Sequence, residues 1–124
     1  AVDLSRVRAF LESPVASRML RSPDFRRELR FTVEIPASRL GPALPDSPVI
    51  LQGAVDCAFE EDGQMVIVDY KTDRAASPRE LWERYRVQLE LYRYAVARVT
   101  GLPVKECLLY SFRWNRTVSE EKNS

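Results

Sequence analysis

Residues 51–73 read LQGAVDCAFEEDGQMVIVDYKTD, and they contain the turn and strand signals on which the predicted sheet depends. The dipeptide Asp62-Gly63 is typical of two-residue hairpin turns, because both central residues of such turns need positive φ. The unbroken apolar run Met65–Val68 that follows indicates a strand buried on both faces. We therefore predict an antiparallel hairpin whose second strand lies inside the sheet and leads directly into charged residues.

The length of the turn decides which residues face each other. A two-residue turn places Asp56 directly opposite Asp69, with their Cβ atoms about 4.5–5.5 Å apart. A four-residue turn over residues 60–63 makes the pair diagonal but keeps the shared face, whereas a three-residue turn without a bulge separates the two. Lys71 shares the face of Asp69, because side chains alternate along a strand.

Two ionised carboxylates beside an apolar interior repel each other, so either one takes up a proton or both bind a cation. A hard divalent ion with oxygen ligands fits this pair best, because the chain has no histidine and only two cysteines, Cys57 and Cys107, both predicted to be buried thiols. An ammonium group beside the ion orients a water or stabilises developing negative charge. Asp56, Asp69 and Lys71 therefore indicate metal-assisted hydrolysis of a phosphodiester.

Three short motifs follow one another along the chain: Gly53-Ala54-Val55-Asp56, Asp69-Tyr70-Lys71-Thr72-Asp73 and Gln88-Leu89-Glu90-Leu91-Tyr92. This ordered set resembles the PD-(D/E)xK nuclease superfamily. Within the superfamily it is most similar to the C-terminal nuclease domain of RecB-like helicase–nucleases of the AddA type. The resemblance covers residues 24–112; each motif alone is weakly specific, whereas the three in order are fairly specific.

The resemblance implies a role for each matching residue. Asp56 and Asp69 match the metal-binding carboxylates, Lys71 matches the catalytic lysine, and the Tyr70 carbonyl matches a metal-facing backbone oxygen. Glu28 is the loosest match, to an acidic residue near the metal, and its alternative is an ordinary solvated carboxylate on a strand. The implied cofactor is Mg²⁺, for which Mn²⁺ can substitute.

Contacts with DNA are expected on the long helix and on the loop before it. Gln88 and Tyr92 match a helical pair that supports the site, and we expect both to be half buried and to contact DNA. The alternative for this pair is a structural role in satisfying the sheet backbone. Arg74, directly after the acidic motif, is the stronger candidate for a phosphate contact, and Arg84 is a second one. A net charge of +1 does not itself indicate a nucleic-acid-binding protein.

One feature departs from the RecB-like pattern. Domains of this kind carry a metal-binding histidine on a helix upstream of the first core strand, and this chain has no histidine. Either the sequence begins after that helix, so that the domain is excised and truncated at its N-terminus, or this member lacks the ligand. Both interpretations leave open how strongly the chain binds metal.

The 124 residues are predicted to form one domain. Residues 1–23 form a helical lead-in, residues 24–118 the nuclease core and residues 119–124 a frayed tail. The predicted elements are helices over Asp3–Leu11 and Val15–Arg21, a strand over Leu29–Ile35, a proline-rich loop over Pro36–Pro48, strands over Val49–Phe59 and from Met65, a helix capped by Ser77, and strands over Val104–Phe112 and after Arg116.

The long helix begins with a capping box of Ser77 and Glu80 and ends at Gly101. Its apolar stripe includes Tyr85 and Tyr92. A helix between two strands is a crossover, so the strand after it runs parallel to the third strand. The predicted fold class is α/β, a restriction-endonuclease-like core in which a mixed sheet, an antiparallel meander plus one parallel strand, is flanked by helices.

The resemblance implies a Mg²⁺-dependent DNA exonuclease domain of an AddAB- or RecBCD-type helicase–nuclease, which acts in double-strand break resection and recombinational repair. Its expected partners are DNA, the helicase portion of the same parent chain and a second protein of the AddB type. Two alternatives stay open: a catalytically weak or inactive nuclease-like domain that binds DNA or a partner protein, and a stand-alone endonuclease. The sequence has neither a signal peptide nor a membrane-spanning stretch, so a cytoplasmic protein without membrane contact is expected.

Overall fold

The computed structural model describes residues 4–41 and 47–119. The predicted cap Asp3, part of the proline-rich loop and residues 120–124 of the predicted tail over 119–124 lie outside the described residues. The helices are α1 (Leu4–Leu11), α2 (Pro14–Arg21) and α3 (Pro78–Thr100), with a short 3₁₀ helix at Ala37–Arg39. The strands are β1 (Phe25–Pro36), β2 (Pro48–Glu61), β3 (Gln64–Lys71), β4 (Val104–Ser111) and β5 (Arg116–Val118).

The five described strands form one sheet in the order β1-β2-β3-β4-β5. The pair β3–β4 is parallel and the other three pairs are antiparallel, so α3 is the crossover between β3 and β4. The predicted mixed sheet, with a meander followed by one parallel strand, is therefore confirmed. β1 begins at Phe25, earlier than the Leu29 that the alternation of apolar residues predicted.

The hairpin has the predicted two-residue turn. Asp62 and Gly63 have φ values of 56° and 75°, and the β2–β3 ladder runs from Glu61↔Gln64 to Cys57↔Val68. Positive φ at both central residues matches the right-handed twist of the flanking strands. The turn thus sets the register that brings Asp56 towards Asp69.

The helix ends follow their sequence signals closely. α2 begins at Pro14, one residue before the predicted Val15, since the missing N–H of proline costs nothing in a first turn. In α3 the Ser77 hydroxyl accepts from the Glu80 N–H at 3.1 Å, as predicted. The Glu80 carboxylate accepts from the Ala76 N–H instead of completing the capping box at Ser77. Gly101, with φ of 74°, ends the helix.

Each face of the sheet has its own core. Residues of β3 alternate between them, Met65 and Ile67 packing with α3 and Val66 and Val68 packing with α2. The unbroken apolar run therefore reflects burial on both faces, as predicted. The thiols Cys57 and Cys107 are both free and buried, which also agrees with the prediction.

The alternation of side chains shifts by one residue at Asp56. Val55 packs in the core on the α3 side and Cys57 packs in the core on the α2 side, although residues two apart in a regular strand share a face. On the neighbouring strand β1, Glu28 lies between the pairs Arg27↔Cys57 and Leu29↔Val55 and has a φ of 50°. Both strands are therefore irregular at the level of the aspartate pair.

Candidate active site

Asp56 and Asp69 lie side by side just beyond the end of the β2–β3 ladder. The last ladder pair is Cys57↔Val68, and the next residue on each strand is one of the two aspartates. The two carboxyl groups are within hydrogen-bonding reach of each other. Asp56 Oδ2 also accepts the Tyr70 N–H at 2.8 Å, which fixes this carboxylate beside β3. The structure therefore brings together the two acids that the turn register predicts as neighbours.

Lys71 lies where strand alternation places it. Its Nζ is 2.9 Å from Asp69 Oδ2, and the lysine side chain is only 16% exposed. The same Nζ lies 3.8 Å from the centre of the Tyr85 ring, in a cation–π contact. One amine thus has a buried carboxylate on one side and an aromatic ring from α3 on the other.

Asp69 is the most perturbed acid of the site. It is 4% exposed, and burial, together with the neighbouring Asp56, raises its pKa to about 6 against the opposing effect of Lys71. Its Oδ2 forms the ion pair with Lys71 and accepts no hydrogen bond from any other described residue. A buried, repelled and partly unsatisfied carboxylate pair of this kind suits a divalent cation.

The side chains present supply only part of a metal coordination sphere. Within residues 4–41 and 47–119, no three histidine, cysteine or acidic side chains converge as a metal cluster. Asp56 and Asp69 fit a hard cation as two oxygen ligands, and the Tyr70 carbonyl stays a predicted third ligand. Backbone, water or phosphate oxygens would have to complete the sphere, which is the normal way in which Mg²⁺ is bound.

Glu28 is level with Asp56 on the adjacent strand but its carboxylate does not reach the pair. The side chain is 70% exposed and forms an ion pair with Arg30 at 3.1 Å. Its positive φ turns the backbone out of the regular strand path at this point. A metal contact by Glu28 stays a prediction that requires the Arg30 ion pair to open.

The two helical residues Gln88 and Tyr92 are placed differently. Tyr92 packs edge-on against Phe31 at 5.9 Å, and burial together with the charges of Asp69 and Asp56 raises the pKa of its hydroxyl. Gln88 was predicted to be half buried but is exposed. Tyr92 therefore lies in the field of the aspartates, and Gln88 is open to solvent beside it.

The two arginines expected to contact DNA differ in whether the guanidinium group is engaged within the protein. Arg84 donates through Nη1 to Asp73 Oδ2 at 3.1 Å and to the Arg74 carbonyl at 3.2 Å, so its guanidinium ties the loop to α3. The Arg74 side chain is exposed. Of the two, Arg74 has the side chain that is open to a phosphate.

Two further residues belong to the site, although the sequence motifs assign them no role. Tyr85 contacts Lys71 with its ring and donates its hydroxyl to Asp73 Oδ2. Asp73 closes the Asp69–Asp73 motif, and Tyr85 lies one turn before Gln88 on the helix, so both positions adjoin recognised motif residues. Their closeness in sequence to the motif residues is the signal that could have identified Asp73 and Tyr85.

Gly53, the first residue of the first motif, has a packing role. A Cβ at this position would lie 2.9 Å from Cζ of Phe31, because the ring rests on the glycine backbone. Phe31 in turn contacts Tyr92. The glycine therefore lets an aromatic pair settle between β1 and α3 beside the aspartates.

Comparisons with known proteins identify the family of the chain. The sequence profile of the PD-(D/E)XK nuclease superfamily matches residues 3–122. Two ATP-dependent helicase/nuclease subunits of the A type, from Acetivibrio thermocellus and Ruminiclostridium cellulolyticum, are 43% and 37% identical to the chain over 119 residues, which is 90% of it. The chain spans about a tenth of the length of these curated relatives.

A solved structure supports the fold alone. The crystal structure of SSO0001 superposes with a TM-score of 0.55 over 94% of this chain and 51% of that one, at 15% sequence identity. The family profile, the relatives and the five-stranded mixed sheet all lead to the same assignment. The chain belongs to the PD-(D/E)XK nuclease superfamily and is similar to a segment of the A-type subunits of ATP-dependent helicase/nucleases.

Proposed function

We propose that this chain is a metal-dependent deoxyribonuclease domain. The observation that carries the proposal is the buried Asp69, with its pKa raised to about 6, beside Asp56 and 2.9 Å from Lys71. Asp56, Asp69 and the Tyr70 carbonyl would hold Mg²⁺ or Mn²⁺, and Glu28 would join them directly or through water. Such an ion, when bound, lowers the pKa of a coordinated water and polarises a phosphate oxygen.

The residues of the chain have separate tasks in this proposal. The Tyr70 N–H holds Asp56 in one orientation, which leaves the other oxygen of Asp56 available as a ligand. Lys71 keeps its ammonium beside Asp69, where it donates to the attacking water or to the phosphate. Tyr92 and the exposed Gln88 and Arg74 extend the site along α3 and the preceding loop, where they contact DNA.

The relatives supply the wider context of the proposal. Their printed name joins a helicase and a nuclease in one polypeptide, and the chain corresponds to a small part of them. We infer a DNA exonuclease that acts in double-strand break resection and recombinational repair, in the cytoplasm. Its partners would be DNA, the helicase portion of its own polypeptide and a second protein of the AddB type. No helix in the described part of the chain is long and apolar enough to cross a bilayer.

A nuclease-like domain that binds DNA or a partner protein without cutting is the second candidate. Two observations favour it: the chain has no histidine, and the carboxylate of Glu28 is engaged by Arg30. Either one reduces the number of metal ligands that the chain itself supplies. Cleavage and binding must therefore be measured on the same protein.

Replacement of Lys71 tests the proposed activity. We expect Lys71→Ala to lower the rate of Mg²⁺-dependent cleavage of single-stranded and duplex DNA by about 10²–10³-fold, the usual cost of removing an electrostatic stabiliser. The fold should persist, because Lys71 is the last residue of β3 and belongs to neither hydrophobic core. Circular dichroism checks the fold, and end-labelled oligonucleotides report the rate.

Lys105→Ala is the matched control. Lys105 forms surface ion pairs with Glu61 and Asp62 at the turn end of the hairpin, far along the sheet from Lys71. It should cut DNA at the parent rate. A Lys71→Ala variant as fast as the parent contradicts the catalytic role. A parent protein that binds DNA but never cuts it, with either metal, favours the second candidate.

A further inference from the structure

Lys71 is held from two sides. Its Nζ contacts Asp69 Oδ2 at 2.9 Å and lies 3.8 Å from the centre of the Tyr85 ring. An ammonium over the face of a tyrosine is attracted by the negative ring face, and the attraction increases when the ammonium is shielded from water. The lysine side chain is 16% exposed, so the contact is well shielded.

The ring of Tyr85 is itself fixed. Its hydroxyl donates to Asp73 Oδ2, and the same oxygen accepts from Arg84 at 3.1 Å. Arg84 also donates to the Arg74 carbonyl, so the loop after β3 is fastened to α3 around one carboxylate. The pKa of Asp73 is lowered by the Tyr85 hydroxyl and by Arg84, which keeps that carboxylate ionised at neutral pH. Tyr85 therefore has little freedom to rotate away from Lys71.

A cation shared by Asp56 and Asp69 would compete with Lys71 for Asp69. The two aspartates are neighbours just beyond the end of the β2–β3 ladder, and Oδ2 of Asp69 is the oxygen that contacts the ammonium. An ammonium that lost this partner would be free to swing into solvent, because a lysine side chain has four rotatable bonds. The ring of Tyr85 is the second contact of the ammonium, and it does not depend on the state of Asp69.

We propose that Tyr85 is a positioning residue for Lys71: its ring keeps the ammonium beside the aspartate pair, and Asp73 keeps the ring in place. This inference rests on the proposed nuclease function and adds to it the residue that orients the Lys71 ammonium. Tyr85 acts through Lys71 and touches neither substrate nor metal. The ring carries the effect, and the hydroxyl supports it by anchoring the ring.

A direct test is available because the chain has only three lysines, Lys71, Lys105 and Lys122. Protein labelled with ¹³C-lysine gives three Cε–Hε signals, and the Lys71→Arg variant identifies one of them. Ring current places the Lys71 signal upfield of the other two in the parent protein. We expect Tyr85→Phe to keep most of this upfield shift and Tyr85→Leu to abolish it, both with and without Mg²⁺.

Kinetics supply the second measurement. We expect kcat for DNA cleavage to fall about tenfold in Tyr85→Leu with KM unchanged, and to stay within about threefold of the parent in Tyr85→Phe. If Tyr85 had only a structural role, kcat would fall equally in both variants, or the fall in kcat would parallel a fall in the thermal unfolding temperature. Equal kinetics in Tyr85→Leu and the parent would overturn the proposal.

The two measurements separate this inference from the proposed function. The upfield Lys71 signal is measured without cleavage, so it stays informative if the protein does not cut DNA. A Lys71 signal at the same position as those of the surface lysines in the parent protein overturns the inference and leaves the nuclease assignment intact. An upfield signal in a protein that never cuts keeps the contact and removes the nuclease proposal.

Discussion

Asp69 is a buried acid of the site whose ionised form is disfavoured by its surroundings. It is buried, faces a second carboxylate and has a pKa of about 6 in place of the usual 3.8. Below pH 4 the group is protonated in both the folded and the unfolded chain and has no effect on stability. Between pH 4 and 6 the unfolded chain ionises while the folded one keeps its proton, so stability falls as pH rises. Above pH 6 the penalty is complete.

The substitution Asp69→Asn should remove this penalty. We expect the metal-free variant to be more stable than the parent by about 1–3 kcal/mol at pH 7.5, and the gain should disappear as the pH falls to 4. Urea unfolding at a series of pH values measures the difference directly. A variant that is less stable than the parent at pH 7.5, or a gain that is independent of pH, would show that burial does not strain Asp69.

Some of the individual site residues could be predicted from the sequence. Asp56, Asp69 and Lys71 were predictable because the Asp62-Gly63 turn and the period of two fix their positions along one hairpin. The contact between Lys71 and Tyr85 was not, because it joins a strand to a helix across the loop between them. The rotation of α3 about its axis depends on packing over its whole length, and no short pattern encodes it.

Ion pairs link the turn end of the β2–β3 hairpin to α2 and β4. Arg18 of α2 contacts Glu61 at 2.7 Å and Glu106 at 2.6 Å, and Lys105 contacts Glu61 at 2.8 Å. These contacts join α2, β2 and β4 at the end of the sheet away from the aspartates. The hydrogen bonds from Arg18 and Lys105 lower the pKa of Glu61 to about 2.

We expect Glu61→Gln to destabilise the protein by about 1–2 kcal/mol at pH 7, a value reduced for the partial exposure of these side chains. Since the folded-state pKa of Glu61 lies below its usual 4.5, its contribution is complete above pH 4.5 and is lost as the pH falls towards 2. Thermal or urea unfolding at pH 7 and pH 3 measures this loss. Glu60→Gln, one residue earlier on β2, is the control and should change little. Equal stability of Glu61→Gln and the parent at pH 7 would contradict the network.

The irregularity in β1 and β2 was the main element-level feature that the sequence did not predict. Residues 55, 57, 58 and 59 are all apolar, so the pattern gives no sign that the strand changes phase at Asp56. The apolar alternation of β1 begins only at Leu29, after the positive φ of Glu28. When both faces of a strand are buried, an apolar side chain lies in a core whichever face it points to. The sequence pattern therefore does not reveal a shift in the alternation.

For the whole molecule, the strand order and the one parallel pair were predictable from the succession of elements. A hairpin fixes two antiparallel neighbours, and a helical crossover fixes a parallel one. Three arginines of α3 form ion pairs within the domain. Arg84 contacts Asp73, Arg86 contacts Glu83 and Arg93 contacts Glu90. These three guanidinium groups are therefore engaged within the domain, whereas the Arg74 side chain beside the site is exposed.

We propose that Asp56 and Asp69 hold one divalent cation together. Calorimetric titration of Mn²⁺ into the parent protein, Asp56→Asn, Asp69→Asn and the control Glu60→Gln tests this shared site. We expect the parent and Glu60→Gln to bind Mn²⁺ and each aspartate variant to lose this binding, because one remaining carboxylate is too few for the site. Binding of Mn²⁺ to Asp69→Asn with the affinity and stoichiometry of the parent would contradict it.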